Sequence, residues 1–441
     1  MLKKSVFAQA LVFGLAGEWD EQADRVLEKI DTLVIGAGQA GIAMSEHLGH
    51  LGIEHVVLER GRIAERWRSA RWDSLVANGP AWHDRFPNME FSCDRDAFAD
   101  KESVAAYFAD YAEMIDAPVR TGVAVEAVTP FEDRAGFAVR TSDGDMEVLR
   151  VVCATGPFQE PSIPPIIPAD ADVVQMHSTA YRNPDALPDG AVLVIGGGSS
   201  GSQIAAELQA AGREVYFSIG PHDRPPRRYR GRDNVWWLGV LGIWNLDTPA
   251  PGTEHVTIAV SGAHGGKTVD FRRLAQRGIT LLGMSTGFEN GILHFADDLK
   301  ANLDAGDQNY LSLLRAADTY IERNSLDLPP EPEAWEIPKD PPCVQEPIRQ
   351  LDLAAKGIST IIWATGFRFD YGWLQADALD EAGKPRHQRG VSPVPGLYFV
   401  GLPWQSRRGS SFIWGVWHDA KFIADQIAIQ KNYMAYHVSA E

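Results

Sequence analysis

One glycine pattern appears twice in this chain, and a chain that carries it twice has few folds open to it. Residues 32–44 read TLVIGAGQAGIAM and residues 192–208 read VLVIGGGSSGSQIAAEL. In each, an apolar run of strand length meets Gly-x-Gly-x-x-Gly and passes into a helical pattern. The first glycine permits a tight strand-to-helix turn, the second lets backbone approach a pyrophosphate, and the third lets the helix pack closely on the strand. The helix N-terminus then presents unpaired N–H groups and a partial positive charge to the phosphates. The expected fold is therefore α/β with two Rossmann-like dinucleotide-binding domains.

The two copies diverge after their glycines. In the first, Gly36, Gly38 and Gly41, with Gln39 and Ala40 between them, form the expected phosphate cradle. The next strand, EHVVLER, ends in Glu59 and Arg60. A carboxylate at that place accepts hydrogen bonds from an adenosine ribose. In the second copy the cradle is Gly196, Gly198, Ser199, Ser200 and Gly201, and the next strand, REVYFSIG, ends without an acid. The stretch HDRPPRRYRGR comes next, out of character in a chain of net charge −18. Arginine near a site that lacks the ribose carboxylate suits a 2′-phosphate. The second site is thus expected to take NADPH, with Arg227 and Arg228 reading the phosphate. The plainer alternative is a solvated basic loop or an ion-pair patch.

Two nucleotide sites suit electron transfer between a resident flavin and a visiting nicotinamide. Ala154, Thr155 and Gly156 end one apolar strand, and Ala364, Thr365 and Gly366 end another. Small residues and a glycine there fit a chain that crosses between domains beside a bound cofactor. The proline-rich stretch FQEPSIPPIIPAD (158–170) reads as a connection, because proline at that density forbids helix. A second such connection lies at 329–347. Residues 101–117 and 296–324 read as helices, and Asp143-Gly144 as a hairpin turn. The expected organisation is an N-terminal helical extension (1–30), a first part of the FAD domain (31–160), an inserted NADPH domain (161–354) and a second part of the FAD domain (355–441).

Composition narrows the function. The negative charge argues against nucleic acid and anionic membrane as partners. Cys93, Cys153 and Cys343 are far apart, with no CxxC and no metal-ligand spacing, so no metal is expected and a reducing compartment is. The apolar stretch at residues 5–17 resembles a signal peptide but is too short to span a bilayer and lacks a clear cleavage site. It is read as a helix packing on this domain or on a partner chain; a homo-oligomer is left open, and the expected location is cytoplasmic.

The chain resembles the class B flavin-dependent monooxygenases, the group of flavin-containing monooxygenases, N-hydroxylases and Baeyer–Villiger enzymes. The resemblance rests on VIGAGQAGIA, RWRSARWDSLVANGP, VVCATGPFQEPSIPP, VLVIGGGSSG, IIWATGF and GLYFVGLPWQSRRGSSFIWGVWHDA. It implies FAD in the first cradle and NADPH in the second, with O2 and a small organic molecule as substrates. It also implies oxygen transfer through a C4a-hydroperoxyflavin to a nitrogen or sulfur centre. Trp67 resembles a tryptophan lying along the flavin, although Glu65 stands where the family has glycine. Asn78 resembles an asparagine near flavin and nicotinamide and is the catalytic candidate. The linker signature is incomplete: Ala171 and Val173 replace Phe and Gly while His177 and Tyr181 match, which argues against Baeyer–Villiger chemistry. Two other functions stay open: a flavin reductase for quinones or electron carriers, and a redox sensor acting through its N-terminal helix. A cysteine-based disulfide reductase is disfavoured, because no cysteine pair is present.

Overall fold

The computed structural model describes residues 27–250 and 257–436, and the expected N-terminal helix lies outside them except at its end. There the structure departs from expectation. Glu28–Ile35 is one continuous strand whose first residue already pairs with Met146. The last residues assigned to the extension are therefore the start of the first sheet.

That sheet is built around the first glycine unit. Its strands lie in the spatial order Val119–Thr121, His55–Glu59, Glu28–Ile35, Gly144–Cys153, Phe137–Thr141 and Val125–Pro130. Leu397–Phe399 pairs in parallel with the C-terminal end of Gly144–Cys153. The expected hairpin is present: Thr141 pairs with Gly144, and Gly144 takes φ 123°, which a side chain would resist. Helices Gln39–His50 and Ile413–Met434 pack on one face of this sheet around Ile42, Met44, Val416 and Ile423, all fully buried. Lys101–Met114 completes that layer, capped by Asp100, whose side chain accepts from Ser103 N.

The second sheet is wholly parallel, in the order Thr280–Leu282, Val215–Ser218, Ala191–Ile195, Ile358–Trp363 and Val174–His177. This corrects the expected boundary at 355. The strand Ile358–Trp363 lies between two strands of the second sheet, and the chain returns to the first sheet only beyond Gly366. Its apolar residues are buried on both faces, the condition that parallel sheets impose on central strands. The helix Leu299–Asn324 carries an arm of the second body in which Tyr229, Trp237, Tyr310 and Leu314 form a separate small core.

The two bodies are joined by two crossings that hold each other. Glu160–Pro161 pairs antiparallel with Phe367–Arg368, and Ser162 N donates to Gly366 O at 3.0 Å. His177 fixes the same carbonyl, with its Nε2 3.0 Å from Gly366 O and its Nδ1 3.1 Å from Thr179 Oγ1. The ring is buried, and that burial, joined by the charges of Arg71 and Arg66, holds its pKa below the ordinary value. His177 therefore fastens the crossing as a neutral ring. Tyr181 is equally structural: fully buried, its hydroxyl donates to Glu207 at 2.7 Å.

Candidate active site

The first cradle has the geometry a diphosphate needs. A Cβ at Gly41 would lie 1.8 Å from Gly36 O, so this helix–turn contact admits only glycine. Gly36 sits at φ 104° with its Cα side against Ala154 O, which explains the small residue at that strand end. Around Gly38, by contrast, an added Cβ meets nothing within 4 Å. The loop is tight toward the protein and open on the ligand side. Glu59 stands at the mouth, its Oε2 accepting from Ala37 N at 2.9 Å and its Oε1 from Gly61 N at 2.8 Å. Those bonds orient the carboxylate and leave lone pairs for a ribose. Gln39 donates to Ser411 O at 3.0 Å, which brings the start of the helix Ile413–Met434 against the same loop. The group of residues that would hold FAD is thus assembled: Gly36, Gly38, Gln39, Ala40, Gly41 and Glu59, flanked by Ala154, Thr155 and Gly156. Arg60 is exposed beside Glu59. Trp67 is half-buried and packs against both main cores, between the two bodies.

The second cradle repeats the backbone geometry but not the openness. A Cβ at Gly201 would lie 1.9 Å from Gly196 O, and one at Gly196 2.3 Å from Ala364 O, so Ala364 plays the part of Ala154. Over Gly198, however, lies the chain itself: a Cβ there would meet Thr257 Cγ2 at 3.3 Å. Ser199 Oγ donates to Ile258 O at 2.9 Å, and Val260 N approaches the same hydroxyl at 3.4 Å. Asp223 holds this segment by backbone bonds on both sides, its N donating to Thr257 O and its O accepting from Ala259 N, each at 2.8 Å. Residues 257–260 thus cross the place where a pyrophosphate would meet the second loop.

The arginines also depart from expectation. Arg227 is 1% exposed. Its guanidinium is paired with Asp233, donates to Asn78 O at 2.5 Å and lies 4.8 Å from the Phe98 ring. It cannot read a nucleotide phosphate without abandoning a buried carboxylate. Arg224 is spent in the same way on Asp307, at 2.7 Å. Arg228 is exposed; it donates to Gly265 O at 3.0 Å and Gly266 O at 3.4 Å and lies 5.9 Å from the Phe98 ring, with no carboxylate partner among the described residues, so of the two expected readers it is the one not committed to an acid.

Asn78 is where the bodies meet. Its Oδ1 accepts from Gln203 Nε2 at 2.9 Å, and Gln203 lies on the second-cradle helix Ser199–Ala210. The Asn78 backbone oxygen takes the Arg227 bond, so both oxygens of the residue are engaged, while its amide nitrogen has no acceptor among the described residues. Two residues not singled out from sequence stand next to it. Asp84 accepts from Gly79 N at 2.9 Å and from His83 Nδ1 at 2.7 Å. The His83 ring stacks on Trp244 at 5.7 Å and meets Trp414 edge-on at 5.2 Å. With Trp82 and Phe412 these rings make an aromatic wall shared by the first body, the arm and the C-terminal helix. The signal was present in sequence as PAWHD, but nothing local says that His83 and Trp244 meet. Trp237 and Trp72, by contrast, are core residues away from that wall. Among the described residues no cluster of His, Cys, Asp and Glu suits a metal ion, and no helix is long and apolar enough to cross a membrane.

A diphosphate cradle with a ribose acid, a second cradle of the same build and a junction lined by amide and aromatic groups define a two-nucleotide oxidoreductase. Known proteins place it more closely. Residues 33–228 match the family described as pyridine nucleotide-disulphide oxidoreductase. An uncharacterized CzcO-like oxidoreductase of Geobacillus kaustophilus is 34% identical over 402 residues, covering 90% of this chain and 98% of that protein. The indole-3-pyruvate monooxygenase YUCCA4 of Oryza sativa is 30% identical over 447 residues, 95% of this chain and 92% of that one. In fold, a flavin-containing monooxygenase from Stenotrophomonas maltophilia superposes with a TM-score of 0.64 at 20% identity, covering 93% of this chain and all of that one (100%). The chain belongs to the class B flavin-dependent monooxygenases.

Proposed function

We propose that this protein uses NADPH and O2 to place one oxygen atom on a nitrogen or sulfur centre of a small organic molecule. The observation that carries the reading is the pair of matched glycine cradles, the first open above Gly38, joined at Asn78. FAD in the first cradle, once reduced by NADPH, supplies the oxygen-activating chemistry, and the protein's work is to bind, orient and keep water out. Gly36, Gly38 and Gly41 bring backbone N–H groups to the diphosphate, and Glu59 takes the ribose. Gly196, Gly198, Ser199, Ser200 and Gly201 do the same for NADPH once residues 257–260 move aside, with Arg228 as the candidate reader of its 2′-phosphate. Thr365 and Gly366 carry the chain past that site. Asn78, held by Gln203 and Arg227, offers its amide N–H to the reacting groups. The wall of Trp82, His83, Trp244 and Trp414 excludes water on one side.

The test is oxygen accounting. Purified protein carrying FAD is mixed with NADPH, ¹⁸O2 and a panel of small amines and thioethers. One labelled oxygen in product per NADPH consumed supports the reading. NADPH oxidation that is matched by quinone reduction, with no label in any product, refutes it in favour of a reductase.

A further inference from the structure

Four arginines lie on or beside the short helix Glu65–Ser69, and they divide into two kinds. Arg62 is paired with Glu65 at 2.7 Å and Arg68 with Glu102 at 3.4 Å. Arg66 and Arg71 have no carboxylate within ion-pair distance among the described residues. Arg66 donates to the backbone oxygen of Gln159. Arg71 donates to Ala70 O at 3.2 Å, and its guanidinium faces the rings of Trp67 at 5.8 Å and Phe158 at 5.3 Å. Carbonyl oxygens and ring faces solvate a cation partly but do not neutralise it.

The electrostatics agree with that geometry. Burial first, and the neighbouring Arg66 charge second, bring the Arg71 pKa down to about 10. Burial and Arg60 depress Arg66 as well, against a weaker pull from Glu160 and Glu59. His177 feels both arginines. This part of the molecule is positive and short of anions, in a chain whose net charge is −18.

Its position says which anion is missing. Ala64, which starts the arginine-bearing helix, donates its N–H to Ala37 O in the first glycine loop at 3.0 Å. Gln159, on which Arg66 rests, donates to Thr155 Oγ1 and Gly156 O, both at 2.8 Å. Thr155 and Gly156 continue the strand that abuts Gly36. Both arginines therefore border the crevice at the carboxyl ends of the parallel strands, the place where open α/β sheets bind ligands. The glycine loop itself brings only backbone N–H groups, since its helix begins Gln39-Ala40-Gly41-Ile42 without a basic side chain.

We propose that Arg66 and Arg71 form an anion-binding pair for the diphosphate of a dinucleotide in this crevice, adding side-chain charge to the first glycine loop. FAD and NADPH both carry such a diphosphate. The assignment rests on the two-cradle reading of the function, and retention of FAD by the wild-type protein checks that reading separately.

The experiment uses the full chain, stripped of flavin and titrated with FAD, ADP, riboflavin and NADP⁺, for wild type, Arg66→Gln, Arg71→Gln and Arg71→Lys. A lost charge-assisted contact is expected to weaken FAD and ADP binding about 10- to 100-fold while riboflavin binding holds. A loss confined to NADP⁺ overturns the proposal, because the pair would then not serve the first glycine loop. Unchanged affinity for all the nucleotides overturns the proposal, as does an equal loss for FAD and riboflavin. If a Gln variant fails to fold, Arg71→Lys keeps the charge. The ³¹P resonances of its bound FAD are expected to shift from wild type, and identical resonances would overturn the proposal equally.

Discussion

Replacing Gly38 with alanine separates what the first glycine loop does for the fold from what it does for a ligand. Gly38 has φ −84° and ψ −168°, a conformation alanine adopts freely, and its Cβ would meet nothing within 4 Å. The substitution should leave the melting temperature nearly unchanged. Gly41→Ala is the contrast, because its Cβ at 1.8 Å from Gly36 O forces backbone apart. On the proposed reading, the diphosphate of FAD approaches through the space over Gly38, where an added Cβ meets nothing within 4 Å. A methyl there pushes phosphate oxygens off the loop. Each charge-assisted N–H bond lost costs about 1.5–3 kcal/mol, or roughly 10- to 150-fold in affinity. Fluorescence titration of the flavin-free variant measures this directly, with thermal melting as the fold control. A Gly38→Ala protein that is stable and binds FAD as tightly as wild type would show that no phosphate rests on Gly38.

Three further outcomes are expected. Arg227→Ala leaves Asp233 buried without its cation, so urea unfolding should register a loss of about 3–5 kcal/mol; a stable variant with selectively impaired NADPH use would restore Arg227 to phosphate reading. His47 is buried against Trp417 O at 3.1 Å, and desolvation brings its pKa down to about 4 from 6.5. The unfolded chain then binds the extra proton between those values, so His47 should remove stability, on the order of 3 kcal/mol, as pH falls from 6.5 toward 4; melting curves of His47→Gln over that range should slope less than wild type, and parallel slopes would refute the assignment. Finally, the amides of Asp223 and Ala259, which tie residues 257–260 over the second loop, should exchange with solvent faster once NADP⁺ is bound; slower exchange would mean that the segment closes on the nucleotide instead of yielding to it.

The glycine loops, their strands and helices and the Thr141–Gly144 hairpin could be read from sequence because each is fixed within a few residues by backbone geometry. Ile358–Trp363 was legible as a strand but not as a member of the second sheet. A strand buried on both faces has no alternating pattern to show which sheet holds it, and its partners Ala191–Ile195 and Val174–His177 are distant in the chain. The arginines mislead for a similar reason: charge can be counted in sequence, but pairing cannot. The pairing of Arg227 has a local cause, since Gly231 takes φ 72° in a hairpin that sets Arg228 opposite Asp233. The pairing of Arg224 with Asp307, and the lack of an ion-pair partner for Arg66 and Arg71 among the described residues, depend on contacts that no local pattern records. Residues 257–260 carry no mark of the loop they cover, because they reach it through backbone bonds.

The doubled crossing at Glu160–Pro161 and Phe367–Arg368 also sets how the molecule can move. Two chain segments bonded to each other would act as a hinge pin rather than a pair of tethers in any swing of one body against the other, a swing that the bridge between Asn78 and Gln203 would have to permit. Each cradle abuts that pin, Gly36 against Ala154 and Gly196 against Ala364, a few residues from the crossing. Close to an axis the lever arm is short, so a swing that shifts outlying side chains by ångströms moves the phosphate anchors much less. If the two cradles hold nucleotides as proposed, both would stay seated while the groups they carry change their mutual approach.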